Sequence, residues 1–273
     1  MNYREFGPDQ QETLLLLHGG GLNWWNYREE AETLQSGYRV ILPILDGHAG
    51  SDRLFTTIES NAAEIIAFID EHLKGSVLFI GGLSLGGQIL LEMLSQRSDI
   101  CQYALVESAA VLPSRLTHAL IGAAVGSSYG LIRNRRFAKL QFQSLHIKEE
   151  LFEDYYRDTC GIRKSDMIAF LKANTSYALK RAVGNTSARV SLFAGERENR
   201  EILQSAKAIR EAIPESRLTI LPGLYHGEFS LNHADAYVGT VLREILAQPS
   251  ASVKGINQTR GTAGVSPQTP PGG

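Results

Sequence analysis

The chain has 273 residues, with 27 basic side chains against 29 acidic ones and a formal charge of −2. Such balance implies no basic face, which argues against nucleic acid as a partner, and the length suits one large α/β domain as well as two average ones. Residues 249–273 hold four of the nine prolines and five of the 26 glycines but no acid and no aromatic side chain, too little apolar surface to offset ordering entropy, so a disordered tail is expected there.

In chain order, 13–17 is a continuous apolar run that reads as a buried strand. Residues 27–35 follow helical spacing and Gly37 stops them; 39–45 is the second strand. Over 58–73, Ala62, Ile65, Ile66, Ile69 and Leu73 fall on one helical stripe, while Glu64, Asp70 and Glu71 lie outside it. A third strand at 76–80 leads into a helix at 84–96. Strands at 103–106, 189–194 and 217–221 and helices at 200–213 and 233–247 complete the alternation. This order predicts an α/β fold, a mostly parallel sheet flanked by helices. Between 112 and 186 no buried strand is legible, only helix-like text such as 135–145 and 149–156, so this stretch reads as an inserted helical cap. Insertions at the carboxyl ends of strands are where such folds bind ligands. The expected organisation is a core in two parts, 1–111 and 187–248, a cap at 112–186 and a tail at 249–273.

Cys101 and Cys160 match no zinc or redox spacing. The first six residues are charged early and lack an apolar run, so no signal peptide is expected. No uncharged stretch exceeds 17 residues; one of that length, 116–132, includes His118 and three glycines and falls short of the about 20 apolar residues of a membrane span. A soluble, cytoplasmic protein without a membrane span is expected. Oligomeric state is not legible.

The sharpest motif is Gly81-Gly82-Leu83-Ser84-Leu85-Gly86-Gly87, between an apolar strand and a helix. Gly82-x-Ser84-x-Gly86 is the nucleophile-elbow pattern in its required strand–turn–helix setting. The turn is so tight that a Cβ on either side would clash, and it lifts the Ser84 hydroxyl above the sheet. No lysine follows the glycines, which excludes a Walker loop, and G-x-G-x-x-G is absent.

On these residues the chain resembles the α/β-hydrolase superfamily over nearly everything before the tail. His18-Gly19-Gly20-Gly21 is similar to its H-G-x oxyanion loop. The segment from Pro43 to Asp52, with Asp46, Gly47, His48 and Ser51, resembles its P-D-x-x-G-H-G-x-S-D loop, except that Ile44 follows Pro43 and Asp46 comes two places late. The elbow, a cap, a late acid and a late histidine follow in the family order.

The resemblance implies a triad. His226, in Leu221-Pro222-Gly223-Leu224-Tyr225-His226-Gly227, sits just past the last strand and is the expected general base. For the acid, Glu198 falls three residues after Gly195, where the family usually presents Asp; Glu107, at the end of the preceding strand, is the alternative, and Glu196 a further one. The oxyanion donors implied are the backbone N–H groups of Leu85 and of Gly20 or Gly21. No metal or organic cofactor is implied.

Trp24 and Trp25 follow the oxyanion loop and are candidates to line the pocket or to pack beneath the cap. Gly122, Gly126 and Gly130 recur every four residues, a spacing that permits close helix packing. Arg133, Arg135 and Arg136 read as a solvated face. The resemblance implies a serine hydrolase acting on a small carboxylic ester; thioesterase, lactonase, C–C hydrolase and aminopeptidase variants keep the serine. A ligand-sensing signalling protein that retains the triad is the alternative from another class.

Overall fold

The computed structural model describes residues 1–246; the tail expected at 249–273 lies outside them. Seven strands form one sheet: β1 (Tyr3–Phe6), β2 (Thr13–Leu17), β3 (Arg39–Pro43), β4 (Val77–Leu83), β5 (Cys101–Glu107), β6 (Arg189–Gly195) and β7 (Arg217–Leu221). Their order is β1-β3-β2-β4-β5-β6-β7, and all neighbours are parallel except β1 and β3. The five apolar residues of β2 illustrate why a run without polar alternation makes a central strand. Leu15 and Leu17 pack on one face with α2 (Ile58–His72) and α3 (Leu85–Gln96), whereas Leu14 and Leu16 pack on the other with α1 (Arg28–Leu34) and α10 (Ala234–Leu246). Successive side chains point to opposite faces, and here helices cover both.

Strand β1 is absent from the sequence expectation. Its Tyr-Arg-Glu-Phe text is largely exposed, as an edge strand tolerates, and only antiparallel pairing with β3, Tyr3 opposite Pro43, makes it a strand. The other expected strands lie within two or three residues of the observed ones.

Between β5 and β6 run four helices, α4 (Arg115–Ser128), α5 (Arg135–Gln143), α6 (Phe152–Gly161) and α7 (Lys164–Ser176), then a 3-10 turn at Arg181–Asn185. Three buried polar ties anchor this insertion. The Asp158 carboxylate on α6 accepts from Asn23 Nδ2 at 2.9 Å and Trp25 Nε1 at 2.8 Å. Asp166 on α7 accepts from the Phe55 N–H at 3.0 Å and pairs with Arg163. The buried amide of Gln88 on α3 donates to the Ala110 and Asn174 carbonyls at 2.6 and 2.9 Å. The packing expected of Gly122, Gly126 and Gly130 is not observed, because a Cβ at any of them would meet open space. Among the described residues no helix is long and apolar enough to cross a membrane.

The chain completes its core with α8 (Arg200–Ala212) and the short α9 (Glu228–Asn232) around β7. The carboxyl ends of β2, β4, β5 and β6 therefore point the same way, and each is followed by one of the candidate loops.

Candidate active site

Ser84 occupies the turn between β4 and α3 with φ +51° and ψ −107°. A non-glycine residue so placed costs about 1–3 kcal/mol, and its surroundings offset that cost. Its N–H donates to the Glu107 carbonyl at 2.8 Å, its carbonyl accepts from the Gln88 N–H at 2.9 Å, and α3 is buried from Leu85 to Leu94. The flanking glycines have no substitute. A Cβ on Gly82 would lie 2.5 Å from the Gly86 carbonyl oxygen, and one on Gly86 would lie 2.1 Å from that of Leu17. The backbones of β2, β4 and α3 meet here at closest approach.

His226 follows β7 and precedes Gly227, which adopts a left-handed conformation with φ +70°. Its Nδ1 donates to Glu198 Oε2 at 2.8 Å. The other oxygen, Oε1, accepts from Ser108 Oγ at 2.6 Å and from the Gly195 N–H at 2.9 Å. Burial by itself would raise the Glu198 pKa. The hydrogen bond and charge of His226, with the Ser108 and Gly195 donors, outweigh it and hold the carboxyl below its ordinary value.

The other two acids are engaged elsewhere. Glu107 Oε1 accepts from the Ser230 N–H at 3.3 Å, and burial, followed by the nearby Glu198 charge, raises its pKa to about 7. Glu196 accepts from the Gly223 N–H at 2.9 Å on an exposed turn.

In the loop after β2, two buried histidines hold the main chain. His18 Nε2 accepts from the Leu45 N–H at 3.1 Å, so its Nδ1 carries the proton and donates to the Gly19 carbonyl at 2.9 Å. His48 Nε2 accepts from the Gly21 N–H at 3.0 Å and its Nδ1 donates to the Asp46 carbonyl at 3.0 Å. Burial keeps both rings neutral: it pushes His18, beside His48, well below 6.5 and lowers His48 to about 4. The Gly21 N–H is thus occupied. Of the two glycines proposed as donors, Gly20 keeps its N–H free of protein partners among the described residues, beside the Leu85 side chain.

Comparison with known proteins gives the family. The profile of the alpha/beta hydrolase fold matches residues 12–229, most of the chain. The protein belongs to the α/β-hydrolase family. It is 30% identical over 145 residues to Lipase 1 of Psychrobacter immobilis, a match covering 51% of this chain and 45% of the lipase; the matched region thus spans less than half that relative's length. Among solved structures, an esterase from Exiguobacterium antarcticum superposes with a TM-score of 0.76 at 20% identity, covering 90% of this chain and 96% of that one. An enol-lactonase from Burkholderia xenovorans does so with 0.76 at 16% identity, covering 90% and 95%. An esterase from Thermogutta terrifontis gives 0.73 at 17% identity over 89% and 93%. These likenesses carry the fold.

In this α/β-hydrolase, Gly20, Ser84, Glu198 and His226 line a single cavity of about 270 Å³, near the small end of ligand sites. Leu22, Leu83 and Leu231 give it an apolar floor, and Ser144, Leu145, His146 and Ile147, between α5 and α6, form one wall. The tryptophans proposed for the pocket do not reach it. Trp25 is buried with its indole N–H bound to Asp158, and Trp24 lies under the Arg28 guanidinium, 4.8 Å from the ring centre. Neither tryptophan of this short 3-10 turn (Trp24–Tyr27) is among the residues lining the cavity.

Ser108, His48 and Gln88 carry structural duties that the motifs did not single out. Ser108, at φ +57°, is the least legible, since its partner Glu198 is 90 residues away. Its signal is only its place directly after β5. His48 was visible as part of a loop motif but not as the acceptor for Gly21.

Proposed function

We propose that this α/β-hydrolase cleaves small carboxylic esters through an acyl-enzyme on Ser84. The observation that carries the reading is the ordered pair His226–Glu198 facing the same small cavity as a strained serine on a nucleophile elbow. The His226 imidazole takes the Ser84 hydroxyl proton as Oγ attacks the ester carbonyl carbon. Glu198 fixes the Nδ1–H tautomer and stabilises the imidazolium that forms. The developing oxyanion is met by the Gly20 and Leu85 N–H groups, the second lying at the first turn of α3, where backbone donors have no intrahelical acceptor. The alkoxide leaves with the proton from His226. Water, deprotonated by the same histidine, then attacks the acyl carbon and releases the acid and free Ser84.

The helical insertion acts as a cap that closes one side of the site. Cavity size favours short acyl groups. Two free thiols, Cys101 buried and Cys160 half-buried, suit a reducing compartment, consistent with the cytoplasm.

The test is hydrolysis of p-nitrophenyl acetate, butyrate and octanoate by wild type and Ser84→Ala. Turnover that favours acetate or butyrate and disappears in the alanine variant is the expected result. Background rates in wild type on all three esters would overturn the reading.

A further inference from the structure

The surface of the inserted helices is unlike the rest of the molecule. Helix α8 shows the ordinary pattern: its exposed positions are Arg200, Glu201, Gln204, Lys207, Arg210 and Glu211, all polar. Helix α4 does not. Its inner face buries Ile121 and Val125, and its outer face exposes Leu116 at 74% and Leu120 at 57%, together with Ala119 and Ala123. Leu112 just before the helix and Leu131 just after it are exposed too. A helix apolar on both faces needs something to cover the second one.

Charge says what covers it. Residues 108–148 contain no Asp or Glu, although the whole chain is net acidic. Arg115, Arg133 and Arg136 in this stretch are exposed, and among the described residues none of them has a carboxylate within ion-pair distance. Lys164, at the start of α7, adds a fourth such cation, its Nζ 3.4 Å from the Gly126 carbonyl on α4. The acid of α7, Asp166, is buried and paired with Arg163. Arg115 also stands in the first turn of α4, where the helix dipole disfavours a cation. Its position therefore does nothing for the helix.

We infer that the outer face of α4 docks onto an anionic lipid surface. Leucines and alanines enter the boundary between headgroups and acyl chains, and the exposed cations of the same acid-free stretch, with Lys164 beside Gly126 of α4, supply the attraction to the phosphates, the chemistry of an interfacial amphipathic helix. A second copy of this chain fits the face poorly. Across a two-fold axis the acid-free surfaces would oppose each other, with no carboxylate on either side to pair the cations. The inference is independent of the reaction proposed for Ser84.

The test is sedimentation of the full chain with vesicles of phosphatidylcholine alone and with about 30% phosphatidylglycerol. Expected are binding to the anionic vesicles only, weakening on going from 0.1 to 0.5 M salt, and a loss of about fivefold per cation in Arg115→Gln and Arg133→Gln. Leu116→Ser with Leu120→Ser should abolish binding. Because these leucines are exposed, the double variant should fold normally, as circular dichroism and turnover of a soluble ester will show. Equal binding to both vesicle types, or none to either, overturns the inference. So does a concentration-dependent dimer that the two leucine substitutions return to monomer, which would make a second copy the occupant.

Discussion

The Glu198 carboxylate is shared between two residues far apart in the chain: His226 Nδ1 lies 2.8 Å from one oxygen and Ser108 Oγ lies 2.6 Å from the other. Each contact restrains one lone-pair direction, so the carboxylate has little freedom to turn. Because the histidine presents only one nitrogen to this carboxylate, the orientation of the imidazole depends on a serine that does not touch it. Glu198→Gln should lower kcat on p-nitrophenyl butyrate by about 10³–10⁴, the scale on which a triad acid acts, and Glu107→Gln by far less. Ser108→Ala should cost about tenfold in kcat. It removes a donor to the ionised form, so the Glu198 pKa rises and the acid edge of the pH–rate profile moves to higher pH. An unmoved profile would make Ser108 merely structural.

The loop after β2 depends on a neutral histidine. His48 accepts from Gly21, which an imidazolium cannot do. With its pKa lowered to about 4 by burial, the ring keeps its lone pair through the neutral range. Because the folded value lies below 6.5, the unfolded chain binds the proton more readily. The contribution of His48 to stability is therefore complete above pH 6.5 and is lost as pH falls toward 4. His48→Phe keeps a ring against Phe170 but leaves the Gly21 N–H without its acceptor, a defect of about 1–3 kcal/mol. A fall of about tenfold in kcat with a smaller change in KM is expected, and urea unfolding at pH 5 and 7 should show the variant less sensitive to acid.

Glu107 carries the opposite sign. Its folded value of about 7 lies above the ordinary 4.5, so the native state holds the proton more tightly and stability declines as pH rises from 4.5 to 7. Glu107→Gln keeps the shape and removes the ionisation. Relative to wild type, the variant should gain stability between pH 5 and 8, by a few kcal/mol at most. Urea midpoints at four pH values measure the difference; parallel curves would refute it.

At the elbow, Gly86→Ala should fail to fold or lose well over 3 kcal/mol, since its Cβ would be driven against the Leu17 and His18 carbonyl oxygens. A melting temperature within a few degrees of wild type would refute this.

Elements with a strong period were legible from the text alone. Buried runs such as 13–17 and the stripe of α2 declare themselves because water exclusion acts on every residue of the pattern. The elbow was equally plain, because hard contacts between main chains leave glycine as the only residue that fits. The edge strand β1 was not legible, since the hydrogen-bond ladder that makes it a strand is supplied by β3 and its side chains are largely exposed. The tryptophans were left between two places, the pocket and the underside of the inserted helices, and only the structure showed Trp25 bound to Asp158 of α6, because proximity in sequence does not fix the direction of a side chain.

The sequence by itself determined the parallel strands of the sheet, the helical insertion and the loops that could carry a nucleophile, a base and an acid, because these follow from local periodicity and local sterics. It left three glutamates in contention for contact with His226 and two glycines for the oxyanion. Only the tertiary structure decided which carboxylate meets the imidazole, which N–H is already held by His48, and that α4 is apolar on the outside as well as the inside. Each of those is a relation between residues far apart in the chain, set by how parallel strands align and how helices lie over them, and no local pattern encodes it.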